Sequence, residues 1–266
     1  MKIIVCVKQI PDPEQFVAKI NPETKTLIRE GFSGVINSFD GYALEMAVRL
    51  KESVEGSTVA VLAMSAPNAK SMLQICLSVG ADKAFLVTGA AGSDTMGTSL
   101  VLSRAIRKIE EEDGPFDAIF CGRQATDGYT GFVGPELAER LNLAQVTFVT
   151  DISAQGQLLK AKRENNNGFE IIETAMPALF TVTKTDYEPR FPTVRSRLAS
   201  LKAPIHNMDL AGLGIDADLV GLKGAKVEVT NVSEPEQKRA GIIITVEDPG
   251  AAAAQLGKIL NEKNLI

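Results

Sequence analysis

The strongest constraint in this sequence is the alternation, over its first 150 residues, of apolar β-rich runs with stretches of helical periodicity. The runs are Ile3 to Val7, Thr58 to Met64, Ala84 to Val87 and Asp117 to Cys121. They are apolar throughout, without the in-out alternation of a strand that has one wet face, so both faces are expected to be buried. Helical segments follow Asp40 (Tyr42 to Leu50), follow Ser65 or Ala66 (Lys70 to Val79), and run from near Asp94 to Ile109. Asp and Ser at such starts accept hydrogen bonds from the unpaired first amides of a helix. The pattern predicts an α/β fold, a Rossmann-like parallel sheet with helices on both faces.

From Val146 the grammar changes to short strands: Val146 to Ile152, Leu158 to Arg163, Phe169 to Thr174 and Leu179 to Thr183. Asn165-Asn166-Asn167-Gly168 lies between the middle two, and Asn-Gly readily takes the positive φ angles of a tight hairpin. An antiparallel strand addition to the sheet is expected. Beyond Pro189, Pro192, Pro204, Gly212, Gly214, Gly221 and Gly224 interrupt regular structure, leaving helices from Thr193 to Lys202 and from Pro249 to Glu262. A stretch of about 75 residues so interrupted is too small to bury a core of its own. The expected organisation is therefore an α/β domain over 1–188 and an extended C-terminal arm over 189–266 that packs on another chain.

One loop carries the chemistry. After Asp117 to Cys121 come Gly122-Arg-Gln-Ala-Thr-Asp-Gly128-Tyr-Thr-Gly131-Phe-Val-Gly134-Pro135 and then the helical pattern Glu136 to Leu141. Glycines spaced by three let backbone amides approach an anion, a helix amino terminus adds favourable dipole charge, and Pro135 suits the first helical turn. A phosphate is the expected ligand; a plain glycine-rich turn is the rival reading. Ligands of open α/β sheets sit outside the carboxyl ends of the strands, so Val7-Lys8-Gln9, Met64-Ser65 and Gly92-Ser93-Asp94-Thr95 should border the same pocket. The spacing is neither a Walker loop nor a dinucleotide fingerprint after the first strand.

Composition narrows the chemistry further. A net charge of −5 without a long basic run argues against a nucleic-acid surface. His206 is the single histidine, and Cys6, Cys76 and Cys121 are far apart, so neither a metal site nor a hydrolytic triad can be assembled and no catalytic side chain is assigned. Redox work by a bound organic cofactor would need little acid–base chemistry from the protein. No apolar run reaches the roughly 18 residues of a spanning helix, and Lys2 leads directly into a strand, so a cytoplasmic protein without membrane insertion is expected. The acidic run Glu110 to Asp113 reads as the solvated end of a helix.

Several blocks in order resemble the β subunit of the electron-transfer flavoproteins over essentially the whole chain. They are Val5-Cys-Val-Lys-Gln-Ile-Pro11, Asn37-Ser-Phe-Asp40, Cys76 to Asp82, Gly122-Arg-Gln-Ala-Thr-Asp127 through Gly134, Lys162-Arg-Glu164, Met176-Pro-Ala-Leu-Phe-Thr181 and Glu188-Pro-Arg-Phe-Pro192. The resemblance implies pairing with an α subunit, the arm's end wrapping around it, and electron carriage on flavin. Ordinary members hold AMP in the β subunit; electron-bifurcating members hold a second FAD there, which takes hydride from NADH. Asp94-Thr95 and Gly122-Arg-Gln-Ala-Thr-Asp-Gly with Val133-Gly-Pro-Glu-Leu-Ala-Glu139 are closer to the bifurcating pattern, while Tyr129 stands where an acidic residue is common and Gly131-Phe132 replaces a small-polar pair.

Carried over position by position, the resemblance places Cys6, Asn37, Phe39, Asp40 and Ser65 around the nucleotide, joined by Val7, Lys8, Met64, Asp94 and Thr95 from the bordering loops. Ala125, Asp127, Thr130, Gly131, Phe132, Val133 and Gly134 should hold its phosphates. It also implies that Glu164 meets a basic residue of the mobile flavin domain. Val194, with Arg195 and Arg197, should dock a flavin-dependent dehydrogenase acting on an acyl-CoA or a hydroxy acid. Ferredoxin is the implied low-potential acceptor. An AMP-containing carrier and a free-standing adenine-nucleotide sensor remain alternatives.

Overall fold

The computed structural model describes residues 1–12, 34–230, 241–246 and 248–266. The chain opens with β1 (Lys2–Cys6), then β2 (Gln9–Pro11) and β3 (Gly34–Ile36), which pair with each other as a small antiparallel ribbon. Next come α1 (Ser38–Ser53), β4 (Thr58–Met64), α2 (Lys70–Ser78), β5 (Lys83–Thr88), α3 (Thr95–Asp113), β6 (Ala118–Gly122) and α4 (Val133–Leu141). A meander follows, β7 (Ala144–Gln155), β8 (Leu158–Asn165) and β9 (Gly168–Ala175), succeeded by β10 (Ala178–Val182), α5 (Val194–Ser200), β11 (Ile205–Asp209) and the short α6 (Gly221–Gly224).

The main sheet has nine strands in the order β11-β5-β4-β1-β6-β10-β7-β8-β9. Pairing is parallel from β11 through β7 and antiparallel between β7, β8 and β9. This is the expected parallel sheet with an antiparallel addition. Both faces are covered: Ile3, Val5 and Val7 pack with α1 and α2 residues such as Met46, Met72 and Leu73, while Ile4 and Cys6 pack with Val101, Ile106, Leu137 and Ala138 of α3 and α4. Two-sided burial is why the central strands read as unbroken apolar runs. Each fully buried aliphatic side chain stabilises the fold by about 1.5–3 kcal/mol.

The chain divides into two compact units, Met1–Val229 and Thr230–Ile266. Residues 189–229, assigned from sequence to the arm, cluster with the first unit, because β11 pairs with β5 from Ile205↔Ala84 to Asp209↔Thr88 and so forms the sheet's edge. The second unit contains α7 (Pro249–Glu262), started by Asp248, whose carboxylate accepts from the amides of Gly250 and Ala251 at 3.1 and 3.0 Å. No helix among the described residues is long and apolar enough to cross a membrane.

Candidate functional site

The carboxyl ends of β1 and β6 lie side by side, with Cys6 in register with Cys121. Both thiols are buried, and contact with Cys6 together with burial pushes the Cys121 thiol well above its ordinary range. Asp40, in the first turn of α1, ties the two strand ends together. Its carboxylate accepts from the Lys8 amide at 2.7 Å and from the Gly122 amide at 3.0 Å. Burial raises its pKa to about 7, against the opposing pull of those amide donors. Gly122 has to be glycine here. A Cβ at 122 would overlap Asp40 Oδ1 and lie 2.8 Å from the Asp40 amide nitrogen and the Phe39 carbonyl carbon.

Asn37 fixes the loop that follows β6. Buried at the start of α1, it donates through Nδ2 to the Gln124 carbonyl at 2.9 Å, and its Oδ1 accepts from the Thr126 amide at 3.1 Å. Lys8 Nζ pairs with Asp127 Oδ1 at 2.7 Å across the same loop. The chain then turns sharply, the Tyr129 amide donating to the Ala125 carbonyl at 2.8 Å. Tyr129 (φ 55) and Gly131 (φ 70) are both left-handed.

Beyond this turn five consecutive amides, Thr130, Gly131, Phe132, Val133 and Gly134, donate to no acceptor among the described residues. The last two belong to the first turn of α4, where no intrahelical acceptor exists. The helix can approach β10 closely because residue 134 lacks a side chain: a Cβ there would lie 2.5 Å from Thr181 Cγ2. Clustered unpaired donors at a helix amino terminus, on glycine-permitted backbone, form an anion cradle.

The other expected border residues fall at the same end of the sheet. Val7 and Lys8 continue β1, and Phe39 precedes Asp40 in α1. Met64 ends β4, and the Ser65 amide donates to the Val87 carbonyl at 3.0 Å. Asp94 caps α3 by accepting from Gly97 at 2.8 Å, and its other oxygen accepts from the Lys226 amide at 2.6 Å. Burial pushes Asp94 up, but these amide bonds outweigh it and hold the carboxyl below its ordinary range. Thr95 donates to Glu136 Oε1 at 2.9 Å and so joins the first turns of α3 and α4; the second oxygen of Glu136 is buried with no partner among the described residues.

Glu164, at the end of β8, lies 3.6 Å from Arg123, whose guanidinium sits 4.8 Å over the Phe148 ring. Glu164 is thus beside the start of the glycine-rich loop after β6. Val194, Arg195 and Arg197 sit on α5, which packs against α2, and no hydrogen bond or ion pair among the described residues joins them to the loop. Arg190, in the Glu188-Pro-Arg-Phe-Pro192 block that precedes α5, is committed to the body of the protein. It donates to Glu45 at 2.8 Å and to Glu52 at 2.6 Å. Burial would push Glu45 up, but Arg190 and Arg49 hold it below its ordinary range. A cavity of about 430 Å³ lined by Met46, Arg49, Asp151 and Tyr187 shares no residue with the phosphate loop, so free donors rather than enclosed volume define the site.

Fold and site together define an open α/β protein whose strand-end loops present an anion cradle. A family model described as "Electron transfer flavoprotein domain" matches residues 24–213. The chain is 38% identical over 257 residues to the electron transfer flavoprotein subunit beta of Megasphaera elsdenii, covering 95% of this chain and 94% of that one. It is 39% identical to the subunit of the same name from Thermoanaerobacterium thermosaccharolyticum, over 100% of both chains. Identity to the caffeyl-CoA reductase-Etf complex subunit CarD of Acetobacterium woodii is 35%, again over 100% of both. The chain belongs to the electron transfer flavoprotein family, as a β subunit.

Proposed function

We propose that this β subunit pairs with an α subunit and holds FAD in the cradle of residues 130–134, accepts hydride equivalents from NADH, and divides electrons between ferredoxin and a partner dehydrogenase reached through the α-subunit FAD. The observation that carries the nucleotide reading is the run of five amides, leading into and opening α4, that find no acceptor among the described residues. The residues fit such a group: a Cβ at 122 or 134 would block the loop's packing, two of the donors lie in the first turn of α4, and no carboxylate among the described residues hydrogen-bonds to them. Asp94-Thr95 and the wording of the loop from Gly122 to Glu139 support FAD over AMP. The relative named for a caffeyl-CoA reductase complex supports a dehydrogenase of the acyl-CoA type over a hydroxy-acid type.

When bound, the flavin supplies the hydride and one-electron chemistry. The chain's own residues position it. The amides of Thr130 to Gly134 neutralise phosphate charge, Asn37 and Asp40 hold the loop at the strand ends, and Lys8 with Asp127 closes its flank. Thr95 and Glu136 keep the α3 and α4 amino termini together around the same space. Toward partners, Glu164 offers a carboxylate to a basic residue of the mobile flavin domain. The exposed apolar residues at the start of α5, Val194 at 80% and Leu198 at 60% exposure, with Phe191 at 92% in the segment just before the helix, offer a docking surface beside Arg195 and Arg197.

Anaerobic mixing of the purified αβ complex with NADH tests this reading. Flavin absorbance should bleach within a single catalytic turnover. A complex whose flavin is reduced only by its dehydrogenase, with AMP released on denaturation, is the ordinary carrier and would reject it.

A further inference from the structure

Tyr129 and Phe132 are not explained by phosphate binding. The cradle uses the backbone around them, which smaller residues would supply equally well. Yet Tyr129 is a bulky side chain held at φ 55, a conformation that costs an L-residue free energy and that glycine adopts without strain. Tyr129 is 67% exposed, and Phe132 is 61% exposed. Phe132 also occupies the N-cap of α4 with no side-chain cap bond, where Ser, Thr, Asp or Asn would stabilise the helix. Two aromatic residues are thus placed, against local preference, on either side of unpaired amides.

From core to solvent, the site runs from buried Asn37 and Asp40, through the amides of 130–134, to these two rings. Ligands of open α/β sheets lie outside the strand carboxyl ends with their phosphates at a helix amino terminus, so if the adenosine half lies on the strand-end side a mononucleotide terminates at the cradle. A dinucleotide continues past it. We infer that Tyr129 and Phe132 form an aromatic rim that packs on the second planar ring of a dinucleotide and sets this chain's preference for a dinucleotide over AMP. The inference rests on the proposed phosphate cradle and adds to it the groups that read what lies beyond the phosphates. The exposed aromatic faces, each with little other surface to cover them, supply stacking area at the point where that ring must emerge.

The test uses the full chain in the complex in which it purifies, stripped of nucleotide and titrated separately with FAD, AMP and riboflavin. Tyr129→Gly and Phe132→Ala should each weaken FAD by about tenfold, a typical stacking loss, and leave AMP within twofold, since neither change removes or caps a cradle amide. Tyr129→Gly should also keep or raise Tm, because strain is relieved, and should brighten the emission of bound FAD, because an adjacent phenol quenches flavin. Equal losses for FAD and AMP, or no loss for either, would overturn the rim. So would an unchanged FAD-to-AMP ratio accompanied by loss of the partner subunit, which would make these rings an interface. The underlying cradle fails differently: riboflavin would then bind the unsubstituted chain as tightly as FAD.

Discussion

At the residue scale the site depends on Asp40, a carboxyl group spent on structure. Its two oxygens accept from two strand-end amides, so it converts the parallel neighbours β1 and β6 into one rigid platform. Burial makes its charge unfavourable, and the sign of the pH effect follows. The folded pKa is about 7 and the unfolded value 3.8. Between these the unfolded chain releases a proton that the folded chain keeps, so the contribution of Asp40 to stability falls as pH rises from about 4 to about 7 and is flat above that. Denaturation midpoints across this range should therefore slope downward, and Asp40→Asn should remove that part of the slope, at lower overall stability because one amide loses its acceptor. A slope unchanged by the substitution would show that Asp40 is not the titrating group. Gly122→Ala drives a methyl group into the same carboxylate. We expect about 1–3 kcal/mol of destabilisation together with loss of bound nucleotide, measured by urea denaturation and by nucleotide content.

At the element scale, what the sequence revealed and what it concealed have physical causes. The central strands were legible because both faces are dry, and α1, α2 and α3 because their apolar periodicity and the Asp94 cap are local signals. Other elements were hidden. Edge strand β11, Ile205-His-Asn-Met-Asp209, is mostly exposed and polar, and nothing local marks its pairing with β5. The Asn37 clamp on the loop joins positions 87 and 89 residues apart, a contact only the tertiary fold creates. The loop itself stood out as the candidate site from its glycines, but the reason for Gly122 is Asp40, which sequence spacing could not supply. Arg190 makes the same point: among neighbouring arginines it alone is bound into α1, pairing with a Glu45 side chain that is 4% exposed. Arg190→Ala should cost about 2–3 kcal/mol by thermal or chemical denaturation, the low end for a broken buried pair because the guanidinium is 34% exposed. Arg195→Ala, by contrast, should leave stability within about 0.5 kcal/mol.

At the scale of the whole molecule the two proposed functions fall on different elements. The proposed nucleotide site uses strand ends and the α4 amino terminus, and the proposed dehydrogenase docking uses α5. The consequence is separable phenotypes. Val194→Asp should reduce electron transfer to the dehydrogenase by at least tenfold, an effect of about 1.4 kcal/mol or more on the docked state, with unchanged nucleotide content and unchanged reduction by NADH. Parallel loss of both activities would contradict the separation. The central claim, that the cradle holds a flavin dinucleotide, is tested most directly by denaturing the purified αβ complex and quantifying the released nucleotides by chromatography. The account predicts FAD from both subunits and no AMP. One FAD accompanied by one AMP per complex would contradict it.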